Sequence, residues 1–114
     1  MRTGHTHRLR RSDRALLREV KEAILRHVPD ARVLLYGSVA RGEATPDSDY
    51  DVLVITPHKL TSGEQREIYH ATYAVDLERD VIVSLNFFSQ EEWDMPINKA
   101  SPFYKNVVRE SVGL

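Results

Sequence analysis

Two short stretches of the sequence place reactive residue types at a telling spacing. Gly37-Ser38 closes the apolar run Val33-Leu34-Leu35-Tyr36, and Asp49-Tyr50-Asp51 opens a second run, Val52-Leu53-Val54-Ile55. A strand that stops at glycine and serine and turns into a helix presents backbone N–H groups and a hydroxyl to an anion. Glycine also lets the backbone close on a phosphate, because no Cβ intervenes. Asp49 and Asp51 stand at i and i+2 of the second strand, so they project to one side while Tyr50 and Val52 project to the other. Two neighbouring carboxylates repel unless a cation lies between them, and oxygen ligands favour Mg²⁺ or Mn²⁺. A phosphate-cradling turn beside a metal-binding carboxylate pair is what transfer from a nucleoside triphosphate needs. There the metal bridges phosphate oxygens and neutralises charge that grows in the transition state.

Competing uses of the same residues are weaker. Asp47-x-Asp49-x-Asp51 mimics the start of a calcium-binding EF-hand loop, but its sixth position is Val52 rather than glycine and its twelfth is His58 rather than glutamate. Arg41 can meet either a triphosphate or an acidic partner, or serve as a plain surface arginine. Lys59, Lys99 and Lys105 bear no fixed relation to the motif and read as solvated, and His70 on the second long helix reads as a surface or packing histidine rather than a general base. Trp93, Phe103 and Tyr104 sit at spacings that suit core better than base stacking. His5-x-His7 is a weak metal site on a tail.

The elements that must position the motif can be read from periodicity. Residues 1–11 lack it and read as a flexible basic arm, leaving 12–114 as a single domain. Ser12 reads as an N-cap with Asp13 in the first turn. Leu16, Val20, Ala23, Ile24 and His27 then repeat at helical spacing over residues 13–27, and Pro29-Asp30 ends the helix. Arg32–Tyr36 is a strand, Val39–Gly42 a single helical turn, and Asp49–Thr56 a second strand stopped by Pro57. Thr61-Ser62 opens a long helix to about Leu77, with Ile68, Ala71, Thr72 and Val75 inward. Val81–Phe88 is a third strand. Ser89 with Glu92 forms a capping box for a short helix that carries Trp93. Ser101-Pro102 starts a last helix burying Phe103, Val107, Val108 and Val112. The order predicts a small α/β fold with a mixed sheet.

Composition narrows the function classes. The 114 residues hold no cysteine, which removes disulfide scaffolds, thiolate metal sites and cysteine nucleophiles, and fits a reducing cytoplasm. The apolar runs are far too short to span a membrane, and the basic first residues lead into no apolar stretch, so a soluble cytoplasmic domain is expected. The net charge of -1 argues against whole-molecule attraction to nucleic acid or to a membrane. Charge is uneven, with +5 over residues 1–27 and -6 over the rest. A basic arm on an acidic body can meet an acidic partner or nucleic acid, although such runs usually only solvate.

With Leu35-Tyr36 before Gly37-Ser38, Ala40-Arg41-Gly42 after it, Ser48 before Asp49-x-Asp51, and the closing Ser101-Pro102-Phe103-Tyr104, the chain resembles the minimal nucleotidyltransferases of the DNA polymerase beta superfamily. The resemblance implies a palm-like nucleotidyltransferase fold. It implies ATP as substrate, with Gly37 and Ser38, helped by Arg41, on its phosphates, and Mg²⁺ on Asp49 and Asp51. It also implies a third carboxylate on the neighbouring strand near Ser84, which is none. Asp80 would lie on the same strand face two pleats away. The metal site is then a two-carboxylate one, one completed by Asp80 or by a partner, or a degraded one. Minimal nucleotidyltransferases are commonly paired with helical HEPN-domain proteins, so the resemblance implies transfer of AMP to a hydroxyl, a tyrosine of a HEPN toxin. The alternative is an impaired subunit that neutralises its partner by binding. The oligomeric state stays open.

Overall fold

The computed structural model describes residues 9–114. The elements run α1 (Arg11–His27), β1 (Arg32–Tyr36), α2 (Gly37–Arg41), β2 (Tyr50–Thr56), α3 (Ser62–Arg79), β3 (Val83–Ser89), α4 (Gln90–Trp93), α5 (Pro96–Lys99), α6 (Pro102–Glu110) and β4 (Val112–Gly113). The four strands form one sheet in the order β3-β2-β1-β4. β1 is antiparallel to β2 and to β4, whereas β2 and β3 are parallel and joined by the α3 crossover. The mixed sheet of the sequence reading is borne out. No helix of the described residues is long and apolar enough to cross a membrane.

Strand alternation divides the apolar side chains between two faces. Val33, Leu35, Val52 and Val54 join Leu16, Leu17, Val20 and Ile24 of α1 and Ile68 and Val75 of α3 in one core. Leu34, Leu53 and Ile55 face the other way and pack with Trp93 of α4 and Val107 of α6. On that second face Phe88 and Phe103 lie against the Trp93 ring at 5.3 and 6.3 Å between centroids, mostly edge-on, and Tyr104 tilts over it at 4.6 Å. These aromatics are core, as their spacing implied. α3 is fastened to α1 by Arg79, whose guanidinium donates to both carboxylate oxygens of Glu19 at 2.7 and 3.1 Å.

The capping signals at Thr61 and Ser89 hold, each side chain accepting from the backbone N–H three residues on. The signal at Ser12 does not. The first helix starts at Arg11 and is capped at Arg10, whose backbone N–H donates to Asp13 (3.1 Å), and Ser12 lies within its first turn. Asp13 is claimed by a distant partner instead of solvent: it is 3% exposed and accepts a 2.6 Å hydrogen bond from the Tyr50 hydroxyl. Of the arm read over 1–11, Leu9 is buried, Arg10 pairs with Asp13 and Arg11 is helical. Residues 1–8, including His5 and His7, lie outside the described residues.

Three other residues stand elsewhere than the sequence pattern implied. Asp80 is not on the third strand. It ends α3 in the left-handed conformation (φ 54°) with its N–H bonded to Asp76, and β3 begins three residues later. Val112 is buried in a two-residue strand against Leu35 rather than on the last helix. Ala71 is only half-buried on α3.

Candidate active site

β1 delivers Tyr36 to the edge of the second sheet face and the chain turns there. Gly37 has φ +79°, a backbone conformation that L side chains rarely adopt. It also lies tight against Asp51 of the neighbouring strand. Tyr36 and Asp51 are cross-strand partners, and a Cβ on Gly37 would stand 2.3 Å from Asp51 Oδ2. Glycine is therefore required twice, by its torsion angle and by the carboxylate pressed against it. A phosphate held at Gly37-Ser38 would lie beside Asp51.

Parallel pairing sets the other side of the site. Asp51 pairs with Ser84, and Leu53 with Asn86, so Ser84 occupies the register position next to Asp51. Ser84 and Asn86 are exposed and Asp51 is half-buried, so this end of the face is an open, polar shelf. Tyr36 overlooks it, its ring edge-on to Phe103 at 5.3 Å. Burial pushes the Tyr36 hydroxyl's proton affinity up, with the Asn86 side chain working the other way and Asp51 adding to the rise.

Asp51 holds its proton more tightly than an ordinary aspartate. Burial is the largest cause and the negative charge of Asp49 the second, while Arg41 offsets them only in part. Asp49 stands one residue before β2 rather than on it, exposed, and close enough to be felt electrostatically by Asp51. Arg41 is largely committed elsewhere, to Glu43 at 3.2 Å and Glu110 at 3.1 Å. Such a carboxylate pair, Asp51 half-buried and Asp49 exposed, with little positive charge to offset it, has the chemistry of a cation site. Its all-oxygen character suits Mg²⁺, which commonly takes one or two carboxylates and completes its shell with phosphates and water. The residues present fit that ion with two protein ligands. Among the described residues no three carboxylates or histidines gather into a ready-made metal cage. Asp80, carried off the strand by the end of α3, does not complete one with Asp51. It lines an open cavity of about 400 Å³ with Asp49, Thr45, Ser48 and Arg10.

Several residues that shape the site escaped the sequence reading. Tyr50, between the two aspartates, is buried on the opposite face and anchored by its 2.6 Å bond to Asp13, which Arg10 also pairs. Its N–H bonds to Ile82 at 2.9 Å, fixing the head of β2 against the entry to β3. The alternation Asp-Tyr-Asp signals that Tyr50 turns inward, but its partner lies 37 residues upstream.

A nucleotide-handling fold with this glycine turn and paired aspartates defines a class, the nucleotidyltransferases. The family profile described as "Nucleotidyltransferase domain" matches residues 17–111, and the chain belongs to that family. It is also 32% identical over 71 residues to a Methanocaldococcus jannaschii protein named as a putative protein adenylyltransferase, an alignment covering 60% of this chain and 72% of the relative. The resemblance read from Gly37-Ser38 and Asp49-x-Asp51 is borne out at the level of the family.

Proposed function

We propose that this nucleotidyltransferase moves AMP from ATP to a protein hydroxyl, with Asp49 and Asp51 holding Mg²⁺ and Gly37-Ser38 receiving the phosphates. The observation that carries the reading is the contact of Asp51 Oδ2 with the Cβ-less face of Gly37, which sets the carboxylate beside the phosphate-binding turn. Bound Mg²⁺ supplies charge neutralisation on the phosphates. The chain's own part is positional. The sheet fixes Asp51 in register between Tyr36 and Ser84, and Tyr50, tied to Asp13, anchors the head of β2 next to Asp49. The acceptor oxygen forms a bond to the α-phosphorus as the bond to pyrophosphate breaks, and the hydroxyl proton passes to water. The printed name of the archaeal relative favours a protein acceptor. The family resemblance favours a tyrosine of a HEPN-domain toxin, with this chain as the antitoxin in the cytoplasm.

One observation favours a second reading. Ser84 holds the register position beside Asp51 where the resemblance implies a third carboxylate. A subunit that keeps the nucleotide shelf but silences its partner by contact would need no such group. The experiment is the intact mass of a HEPN-type protein from the same genome after incubation with this chain, ATP and Mg²⁺. A gain of one or more AMP units that disappears with Asp49→Asn supports transfer. A stable complex that neutralises the partner with no mass gain, and does so equally with Asp49→Asn/Asp51→Asn, replaces transfer with contact.

A further inference from the structure

We propose that the protein forms a two-fold dimer through the outward face of α3, with the helix antiparallel to its copy and Tyr73 at the axis. This inference is independent of the transfer reaction.

α3 is eighteen residues long, yet only Ile68, Thr72 and Val75 are buried. Its outer side carries Tyr69, Tyr73 and Leu77 in successive turns, 45%, 56% and 67% exposed, and Ile82 just beyond the helix is 62% exposed. Single exposed apolar residues need no explanation, but a continuous stripe of large ones marks an interaction surface. The stripe has a charged residue at each end, Arg66 at the start and Asp80 at the cap, both exposed. At ~3.6 residues per turn, Arg66, Tyr69 and Leu77 fall within about 40° of the direction of Tyr73, and Asp80 caps the helix end next to Arg79. Among the described residues neither Arg66 nor Asp80 enters an ion pair within the chain.

The pattern is symmetric about its centre. Arg66 stands seven residues before Tyr73 and Asp80 seven after; Tyr69 stands four before and Leu77 four after. An antiparallel copy therefore brings Arg66 level with Asp80 of the second copy at both ends, Tyr69 level with Leu77, and Tyr73 with Tyr73. A parallel copy would set Arg66 beside Arg66 and Asp80 beside Asp80. Self-complementarity of this kind is what a two-fold interface demands. The charge complementarity selects a second copy of this chain as the occupant. The edge of β3 does not compete for it, because Tyr69 reaches over that edge, its hydroxyl donating to the Leu85 carbonyl at 3.4 Å and its ring packed edge-on to Phe87. Asp80 also lines the cavity that holds Asp49, so the dimer brings Arg66 of the second copy to that cavity's rim.

The absence of cysteine gives a clean test. Tyr73→Cys places one thiol on the axis, where facing helices at ~8–10 Å between axes bring the two Cα atoms within disulfide reach. Under mild oxidation this variant should form a covalent dimer far faster than Ile97→Cys, whose position on α5 is 74% exposed. In sedimentation velocity over the micromolar range the unmodified chain should dimerise with concentration. Arg66→Glu should weaken the dimer about tenfold through two like-charge contacts, and adding Asp80→Lys should restore it. Thermal melts accompany the double variant because Asp80 sits at positive φ. A chain that stays monomeric, with Tyr73→Cys linking no faster than Ile97→Cys, overturns the proposal, including the case where another protein binds this face. So does a dimer indifferent to Arg66→Glu, since its interface would lie elsewhere.

Discussion

The sheet face turned away from α1 and α3 is finished in opposite ways at its two ends. At one end Leu34, Leu53 and Ile55 are roofed by Trp93, Phe103 and Val107, and Trp93 is 2% exposed. At the other end stand Tyr36 of β1, Asp51 of β2 and Ser84 and Asn86 of β3, with the partly buried Tyr36 edge-on to Phe103 of the roof. The closed end gains stability from buried aromatic area. The open end carries a half-desolvated carboxylate with a second negative charge nearby, which costs stability while no cation is bound. The difference sets a closely packed end beside one whose partly buried carboxylate is charged only at a cost.

The sharpest way to break that division is Trp93→Ala, which empties the centre of the roof. It should destabilise the fold by about 3–5 kcal/mol, read as a lowered midpoint in urea, while transfer per folded molecule falls far less. Gly37→Ala should do the reverse. Its new Cβ has to displace the Asp51 carboxylate or move the turn, and a misplacement of ~1 Å is enough for about a hundredfold loss of transfer rate at saturating ATP. Tyr50→Phe leaves buried Asp13 without its 2.6 Å donor, which should cost about 1–3 kcal/mol in chemical denaturation. The smallest effect has the opposite sign. Because the folded state raises the proton affinity of Asp51, ionising it destabilises the fold at any pH above the ordinary aspartate range. Asp51→Asn should therefore raise the melting temperature at neutral pH in the absence of divalent cation. That advantage should shrink as the pH falls through the carboxylate range, where Asp51 itself takes up a proton. A lowered melting temperature at neutral pH would show that Asp51 stabilises the apo fold.

What could be read in the sequence was whatever is set by neighbours along the chain. The strand ends at Tyr36 and Thr56, the caps at Thr61 and Ser89, and the inward placing of Val52 and Val54 all follow from local pattern. The pair Gly37-Ser38 and Asp49-x-Asp51 was visible because the chemistry fixes both residue type and spacing. What was hidden depends on distant partners. Ser12 looks like a better cap than Arg10 until Tyr50, far along the chain, takes the Asp13 carboxylate. Asp80 looks like a strand residue because nothing local announces that α3 runs on to Arg79 before turning left-handed. Two residues at 112–113 become a strand only because β1 has a free edge to receive them.

The central claim is that the open end of the face transfers a nucleotide. The most direct test offers the protein and a HEPN-type acceptor two preparations of ATP with Mg²⁺, one labelled at the α-phosphate and one at the γ-phosphate. α-Label should become bound to the acceptor, γ-label should leave entirely as pyrophosphate, and Asp49→Asn should abolish the incorporation. Retention of γ-label on the acceptor, or α-label incorporation undiminished in Asp49→Asn/Asp51→Asn, would contradict that claim.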